Sequence, residues 1–317
     1  MTTLYSIELP GLRGHHPLGF LAACGLIRLA TERSPARLGW KTETGGGWVA
    51  LLQIGEAQAD DLRDRLINVV AESAKKFIKD LEQVGITEAE AQASDFRKWS
   101  ESTLATDLLP GIGSEILQRR KGSGKNKGKF VIQTTHFAMT SGQQDLISGA
   151  RKTAEQMAKR SHNKEIQEKV RQKIHEALFG PWSYQDDEHS LGWDPNGQRL
   201  HALRNKAPTV DDKNRSVLGA VFLATQALPF FPCFAVGPNL YTTCFHRDDG
   251  EDWFSWPIWR DPISLNTLRS LLAHPFTADL QRRGVELVYR CRRVRTGGAE
   301  GNYQVFSHAQ QRPWPRA

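Results

Sequence analysis

Between Gln118 and Phe130 the chain carries Arg119, Arg120, Lys121, Lys125, Lys127 and Lys129, six positive charges with no acid among them. Gly122, Ser123, Gly124 and Gly128 space them. Glycine lets backbone N–H groups approach an anion closely, and glycine with serine keeps a segment flexible. Like charges packed this densely repel one another, so 119–129 is expected to be a loop that stays mobile until a polyanion neutralises it. If all six met phosphates, binding would weaken with salt along a log–log slope of roughly −4 to −5. The competing reading is a solvated surface loop with no ligand. The Gly-Ser-Gly-Lys inside the stretch is not a nucleoside-triphosphate loop. Asn126 stands where Ser or Thr would hold magnesium, and the first glycine of that motif is missing.

A second candidate is Asp186-Asp187-Glu188-His189, which offers hard oxygen ligands and an imidazole and would suit a divalent-metal nuclease. Consecutive residues rarely chelate one ion outside a loop of the EF-hand kind, so this is the alternative and not the preferred reading. His15 and His16 stand just before a helix start, where turn or capping roles are commoner than paired ligation, which on a helix needs i, i+4 spacing. His201, His246, His274 and His308 share no partner spacing. No G-x-S-x-G elbow, no H-E-x-x-H and no cysteine in a nucleophile's setting occurs. No catalytic residue, metal or cofactor is assigned from the sequence, and an enzyme is disfavoured. The aromatic run Trp253-Phe254-Ser255-Trp256-Pro257-Ile258-Trp259 could stack bases, but its alternation and prolines favour a core hairpin.

The elements that must position these groups form an α+β pattern. Leu4–Leu9 alternates as a strand, and Pro17 suits the first turn of a helix over Leu18–Glu32 that is apolar nearly all round and so belongs inside the fold. Gly19 and Gly25 cost that helix propensity, which points to close packing against another element. Leu38–Thr42 and Trp48–Ile54 read as a hairpin across Gly45-Gly46-Gly47. Leu62, Leu66, Val69, Val70, Phe77, Leu81 and Val84 recur at helical spacing, a polar helical stretch follows to about Ser102, and Gln143–Leu178 reads as one long helical region. That region is basic through Arg151, Lys152, Lys159, Arg160, Lys164, Lys169, Arg171 and Lys173, charges that could line the same groove as the loop. A short strand is expected at Phe130–Thr135, a helix near Val217–Ala227, and strands near Leu240–Phe245 and Val285–Val294. On the last strand, alternation sets Arg290 and Arg292 on one face and Leu287, Tyr289 and Cys291 on the other. The result is a strand-helix-hairpin start, a helical middle and an irregular α+β end. Residues 1–317 read as one large α+β domain, with 56–180 mainly helical and carrying the basic loop.

Bulk composition narrows the partners. With 39% hydrophobic and 24% charged residues the chain can bury a core. A net charge of +7 favours a polyanion as partner and says nothing about fold. Cys24, Cys233, Cys244 and Cys291 show no CxxC pairing and read as small buried hydrophobes, which suits a reducing cytoplasm. No apolar run approaches the roughly 20 residues of a membrane span, and Leu18–Ala30 follows no basic leader, so no membrane association is expected.

Several blocks together resemble one family. Leu9-Pro10-Gly11 with Pro17-Leu18-Gly19-Phe20-Leu21-Ala22-Ala23-Cys24-Gly25-Leu26 is similar to the opening of CRISPR-associated proteins of the type I-G (formerly I-U) systems. Thr140-Ser141-Gly142-Gln143-Gln144, Ser190-Leu191-Gly192-Trp193-Asp194-Pro195 with Arg199 and His201-Ala202-Leu203-Arg204, and Phe254–Trp259 with Pro262-Ile263-Ser264-Leu265 resemble further blocks of those proteins, in consistent order. The resemblance is to a large-subunit-like protein or to the family that also extends the system's helicase–nuclease. It implies a non-catalytic subunit of an RNA-guided effector complex in antiviral defence. Its partners would be guide RNA and/or target DNA and the other effector subunits, with the helicase–nuclease among them. On this reading Arg119 to Lys129 meet the nucleic acid, Gln143 and Gln144 either bond a nucleotide or cap the following helix, and Arg199 and Arg204 are weaker contacts.

Overall fold

The computed structural model describes residues 3–55, 61–84, 94, 97–98, 107–119, 130–139, 146–158, 164–188, 190–197, 215–274, 276–277, 279–296 and 303–313. The chain opens with strand β1 (Leu4–Arg13), helix α1 (Pro17–Thr31) and the strands β2 (Ala36–Thr42) and β3 (Trp48–Gly55). Helices α2 (Leu62–Val84) and α3 (Leu109–Ile112) follow, then the antiparallel pair β4 (Gly113–Arg119) and β5 (Phe130–Thr134), then α4 (Leu146–Ala158) and α5 (Lys164–Phe179). Next come α6 (Leu218–Thr225), a 3₁₀ turn at Leu228–Phe230, and the strands β6 (Cys233–Val236), β7 (Asn239–Thr242), β8 (Phe245–Asp248), β9 (Glu251–Trp259) and β10 (Ile263–Ser264). The remainder is α7 (Leu265–Ala273), α8 (Asp279–Arg282), β11 (Val285–Thr296), β12 (Tyr303–Phe306) and β13 (Gln310–Arg312). The architecture is α+β, as the sequence pattern implies.

Four antiparallel strands run in the order β1-β3-β2-β10, and a five-stranded sheet runs β12-β11-β9-β8 with β13 added on β11. β4-β5 and β6-β7 are separate two-stranded sheets. Helix α1 lies between these layers, with every residue from Pro17 to Ile27 buried. Pro17 occupies its first turn, and His16 caps it, Nδ1 accepting from the Gly19 N–H at 3.4 Å. The capping role expected for His16 is the one it plays.

Both glycines of α1 mark close approaches. A Cβ on Gly19 would stand 2.6 Å from the Arg13 carbonyl oxygen, and one on Gly25 would collide with the Leu223 carbonyl of α6. Helix α6 is itself wholly buried. Two helices with no polar face therefore cross backbone to backbone, which only a glycine at the crossing permits.

The aromatic core joins the sheets to α1. Phe20 stacks on Trp40 (centroids 5.8 Å, 16°) and on Trp256 (5.7 Å, 30°), and Trp259 meets it edge-on at 6.5 Å. The Trp256 and Trp259 indoles of β9 each find a backbone acceptor in the N-terminal part of the chain. Trp256 Nε1 donates to the Gly14 carbonyl at 2.7 Å, and Trp259 Nε1 donates to the Leu38 carbonyl at 2.8 Å.

Two expectations about elements are refined. Trp253–Trp259 is a core strand that closes a tight hairpin with β8 through Asp248↔Glu251, as expected, and pairs on its other side with β11, reached 26 residues later through the register Trp259↔Val285. Pro257 is tolerated there since β8 pairs only as far as Phe254. Gln143–Leu178 contains two helices, α4 and α5, and the polar stretch expected up to Ser102 lies mostly outside the described residues.

Gly25→Ala should lower stability by about 2 kcal/mol or more, because overpacking against backbone outweighs the roughly 1 kcal/mol of helix propensity that alanine gains. Urea unfolding reads this out, and a variant as stable as the parent would refute the tight α1–α6 crossing.

Candidate nucleic-acid interface

The pair β4–β5 is in register through Leu117↔Ile132, Gln118↔Val131 and Arg119↔Phe130. Arg119 is thus the last residue of β4 and not the first of a loop, because the ladder extends to it. The cation-rich segment 120–129 leaves and returns at this end of the ladder. Its Arg120, Lys121, Lys125, Lys127 and Lys129 lie outside the described residues, as do Gln143 and Gln144 ahead of α4 and Arg199 and Arg204 beyond Gly197. Of the expected contacts, only the Arg119 backbone is placed, so no grouping of them is drawn.

What supports this ladder is well defined. Ile132 packs with Leu81, Leu109, Ile112 and Ile147 in a small core of its own. Gln133 of β5 grips the neighbouring β6–β7 hairpin at two points, Nε2 donating to the Pro238 carbonyl at 3.1 Å and Oε1 accepting from the Leu240 N–H at 3.1 Å. The inner face of that hairpin is sealed. Leu240 and Thr242 are buried, and Thr242 Oγ1 accepts from the His136 N–H at 3.0 Å while lying 2.9 Å from His136 Nδ1. Its outer face is apolar and open: Phe234 is 50% exposed, Val236 53% and Tyr241 40%. Phe234 and Tyr241 are cross-strand partners whose rings stack at 5.9 Å and 19°. No charged residue occurs between Phe231 and Phe245.

A second cationic surface is the outer face of the five-stranded sheet. Arg290 lies 4.1 Å over the Trp253 ring and Arg292 lies 5.8 Å from it, and Arg290 also pairs with Asp248 at 3.2 Å. The expected alternation holds: Cys291 is buried against the core, while Arg293 turns inward and donates to the Ala138 carbonyl at 2.9 Å. His246, on the same outer face, is held down to a pKa of about 4, first by burial and then by the nearby charges of Arg312 and Arg290. Burial, then Arg290, also lowers Arg312 from its ordinary range. His246 Nε2 and Arg290 Nε are buried without a hydrogen-bond partner among the described residues.

The cations of α4 and α5 behave differently. Arg151 faces Glu82, Lys169 pairs with Glu165, Arg171 with Asp64 and Lys173 with Asp186. Four of the eight cations expected to line a groove thus meet carboxylates, while Lys159 and Arg160 lie outside the described residues.

The acidic run is also committed elsewhere. Asp186 is buried, its Oδ1 taken by Lys173 and its Oδ2 accepting from the Leu218 N–H at 3.0 Å, so it anchors the start of α6. Asp187 pairs with Arg215 at 3.4 Å, and His189 lies outside the described residues. Among the described residues no group of three or more His, Cys, Asp or Glu could hold a metal ion.

The cysteines are free, with Cys24 and Cys291 buried and their thiols pushed up by that burial. Among the described residues no helix is long and apolar enough to cross a membrane.

Among the described residues, the block Ser190–Pro195 that carries part of the family resemblance is held in the interior, whereas Thr140–Gln144, Arg199 and His201–Arg204 lie outside the described residues. His16 meets Asp194, which is fully buried, at 3.3 Å, and Asn196 reaches His16 and the Tyr184 hydroxyl, each at 3.3 Å. Burial and the Asp194 charge raise the Tyr184 phenol. Trp193 Nε1 donates to the Phe137 carbonyl at 3.0 Å, and the Phe306 N–H bonds the Gly192 carbonyl at 2.8 Å. No protein-family model matches the chain, and no curated protein matches it significantly.

Two surfaces escape a linear reading. The β6–β7 hairpin is signalled by two short apolar runs around Gly237-Pro238. The Trp253–His246–Arg290–Arg312 face has no such signal, since four strands assemble it.

Asp186→Ala should cost about 3 kcal/mol, the scale of breaking a buried pair, and magnesium or manganese should leave the melting temperature of the parent unchanged. A metal-dependent rise in Tm that Asp186→Ala abolishes would restore the metal site. For His246, the folded-state value of about 4 lies below the ordinary 6.5, so the folded state binds fewer protons between them. Its contribution to stability is therefore present above about pH 6.5 and is lost as pH falls toward 4. NMR titration should find the His246 ring neutral at pH 5, and Arg312→Gln should raise its midpoint; an unshifted midpoint would remove Arg312 as a cause.

Proposed function

We propose that this chain is a non-catalytic, nucleic-acid-binding subunit of a type I CRISPR RNA-guided effector complex, meeting guide RNA or target DNA through the segment that joins β4 to β5. The observation that carries the reading is the concentration of charge. Six cations with no acid lie in one short stretch, against a net charge of +7 for the whole chain. The rest of the sequence is close to balanced in charge, and Arg151, Lys169 and Arg171 of α4 and α5 meet carboxylates. A charge excess left at the end of a two-stranded ladder suits phosphate contacts that position a polyanion without reading sequence. The order of the resembling blocks supports the effector-complex setting. In such complexes base pairing reads the sequence and protein subunits hold strands in positive grooves.

Replacing Lys125, Lys127 and Lys129 together by Glu should weaken binding of a labelled oligonucleotide at least ten-fold. It should also flatten the log–log salt dependence by about 2 to 3 units, as fluorescence anisotropy over a salt series would show. Binding that keeps both affinity and slope would refute the reading. Cleavage of plasmid or RNA with magnesium or manganese, abolished by Asp187→Ala, would replace it with a nuclease.

A further inference from the structure

We propose that the outer face of the β6–β7 hairpin is a stacking platform for unpaired bases, so that the nucleic acid taken up here is single-stranded at that point. The inference rests on the nucleic-acid reading above and adds the state of the strand. It begins from an inversion of the usual pattern. A two-stranded sheet against a core should turn its aromatics inward, yet here Leu240 and Thr242 face in, while Phe234, Val236 and Tyr241 face out. Exposed apolar patches of this kind are often functional.

Size decides between occupants. Aromatic side chains carry roughly 150–250 Å² each, so two half-exposed rings and one valine offer on the order of 300 Å². A stable protein interface buries about 800 Å² per partner. The patch is too small for that by itself and is the right size for one or two bases. Its geometry fits as well. The rings of Phe234 and Tyr241 lie within 19° of parallel, so a base laid on either ring continues one stack. Bases stack on aromatic rings irrespective of sequence, because every base has a π-face.

The platform is also pre-formed. Gln133 fixes the hairpin at Pro238 and Leu240, and Thr242 ties its inner face to His136, so no ordering of backbone is needed when a strand arrives. Charge complementarity gives the strand its direction of approach. The hairpin carries no cation and cannot hold phosphate, whereas β4, which packs beside β6, ends at Arg119 where the cation-rich segment begins. On the nucleic-acid reading above, the cation-rich segment that follows β4 would supply the phosphate contacts and the hairpin the stacking, the combination used by proteins that bind single strands.

The test uses the full chain with a labelled oligothymidylate and a blunt duplex of equal length. The double variant Phe234→Ala/Tyr241→Ala should lose about ten-fold or more in affinity for the single strand, with its salt slope unchanged and duplex binding unaffected. Tyr241→Phe should bind as the parent does, since the ring and not the hydroxyl is used. Unfolding midpoints of these surface variants should match the parent. Equal single-strand affinity of parent and double variant would overturn the platform while leaving the nucleic-acid reading intact. Failure of the parent to bind either ligand would overturn both. Unchanged single-strand binding together with loss of a co-purifying protein would reassign the patch to a protein partner.

Discussion

Helix α1 has no polar face, and that constraint organises most of the molecule. A helix buried on one side can rest on a single layer, but one buried all round must be enclosed. The four-stranded sheet covers it on one side, the wholly buried α6 crosses it on another, and the Trp256 and Trp259 side chains of β9 close over its N-terminal half through Phe20. The contact between α1 and α6 is close enough that a methyl group at position 25 has no room. Within that core the Trp256 and Trp259 indoles end on backbone carbonyls of the first 40 residues, whereas the Trp40 Nε1 is buried without a hydrogen-bond partner among the described residues. The N-terminal and C-terminal parts of the chain are thereby held by the same few bonds.

The same logic explains where buried charge is tolerated. Asp186 lies under the surface because its two oxygens are both used, one by Lys173 and one by the first turn of α6. Asp194 is fully buried beside His16, which spends its other ring nitrogen on capping α1. Each carboxylate ties a helix start to a distant segment. Removing Lys173 or His16 would leave a carboxylate in the interior without its partner, a far larger cost than the pair itself contributes. These groups are chemically suggestive in sequence, yet the fold consumes them.

This bears on how much was legible beforehand. The all-round burial of α1, the close packing of Gly19 and Gly25, the capping by His16 and the hairpin at Gly45–Gly47 all follow from local pattern, and each is where the pattern places it. The outward turn of Arg290 and Arg292 follows from the two-residue period of a strand. What could not be read was pairing across distance. The second partner of β9 is β11, and nothing in Trp253–Trp259 itself says so. The pairing of Arg151, Arg171 and Lys173 was equally hidden, because Asp64, Glu82 and Asp186 come from other elements or from beyond the helix end. Among the described residues of the resembling blocks, Gly25, Trp193, Asp194 and Trp256 are interior, each held by backbone or a polar side chain of another segment rather than set toward a ligand.

Charge and aromatic surface are separated in this molecule, and the separation has a physical reason. A cation beside an exposed ring is drawn onto its face, as Arg290 is onto Trp253, and a ring covered in that way cannot accept a base. Trp253 is accordingly only 8% exposed. The β6–β7 hairpin avoids this capture by carrying no charged residue at all, so its two rings stay open although a dense run of cations begins on the neighbouring hairpin. The two surfaces are thus opposite solutions built from the same residue types. On the large sheet, arginines spend their faces on a tryptophan and their charge partly on Asp248. On the β6–β7 hairpin no charged side chain stands among the rings, and Phe234 and Tyr241 keep their faces open to solvent.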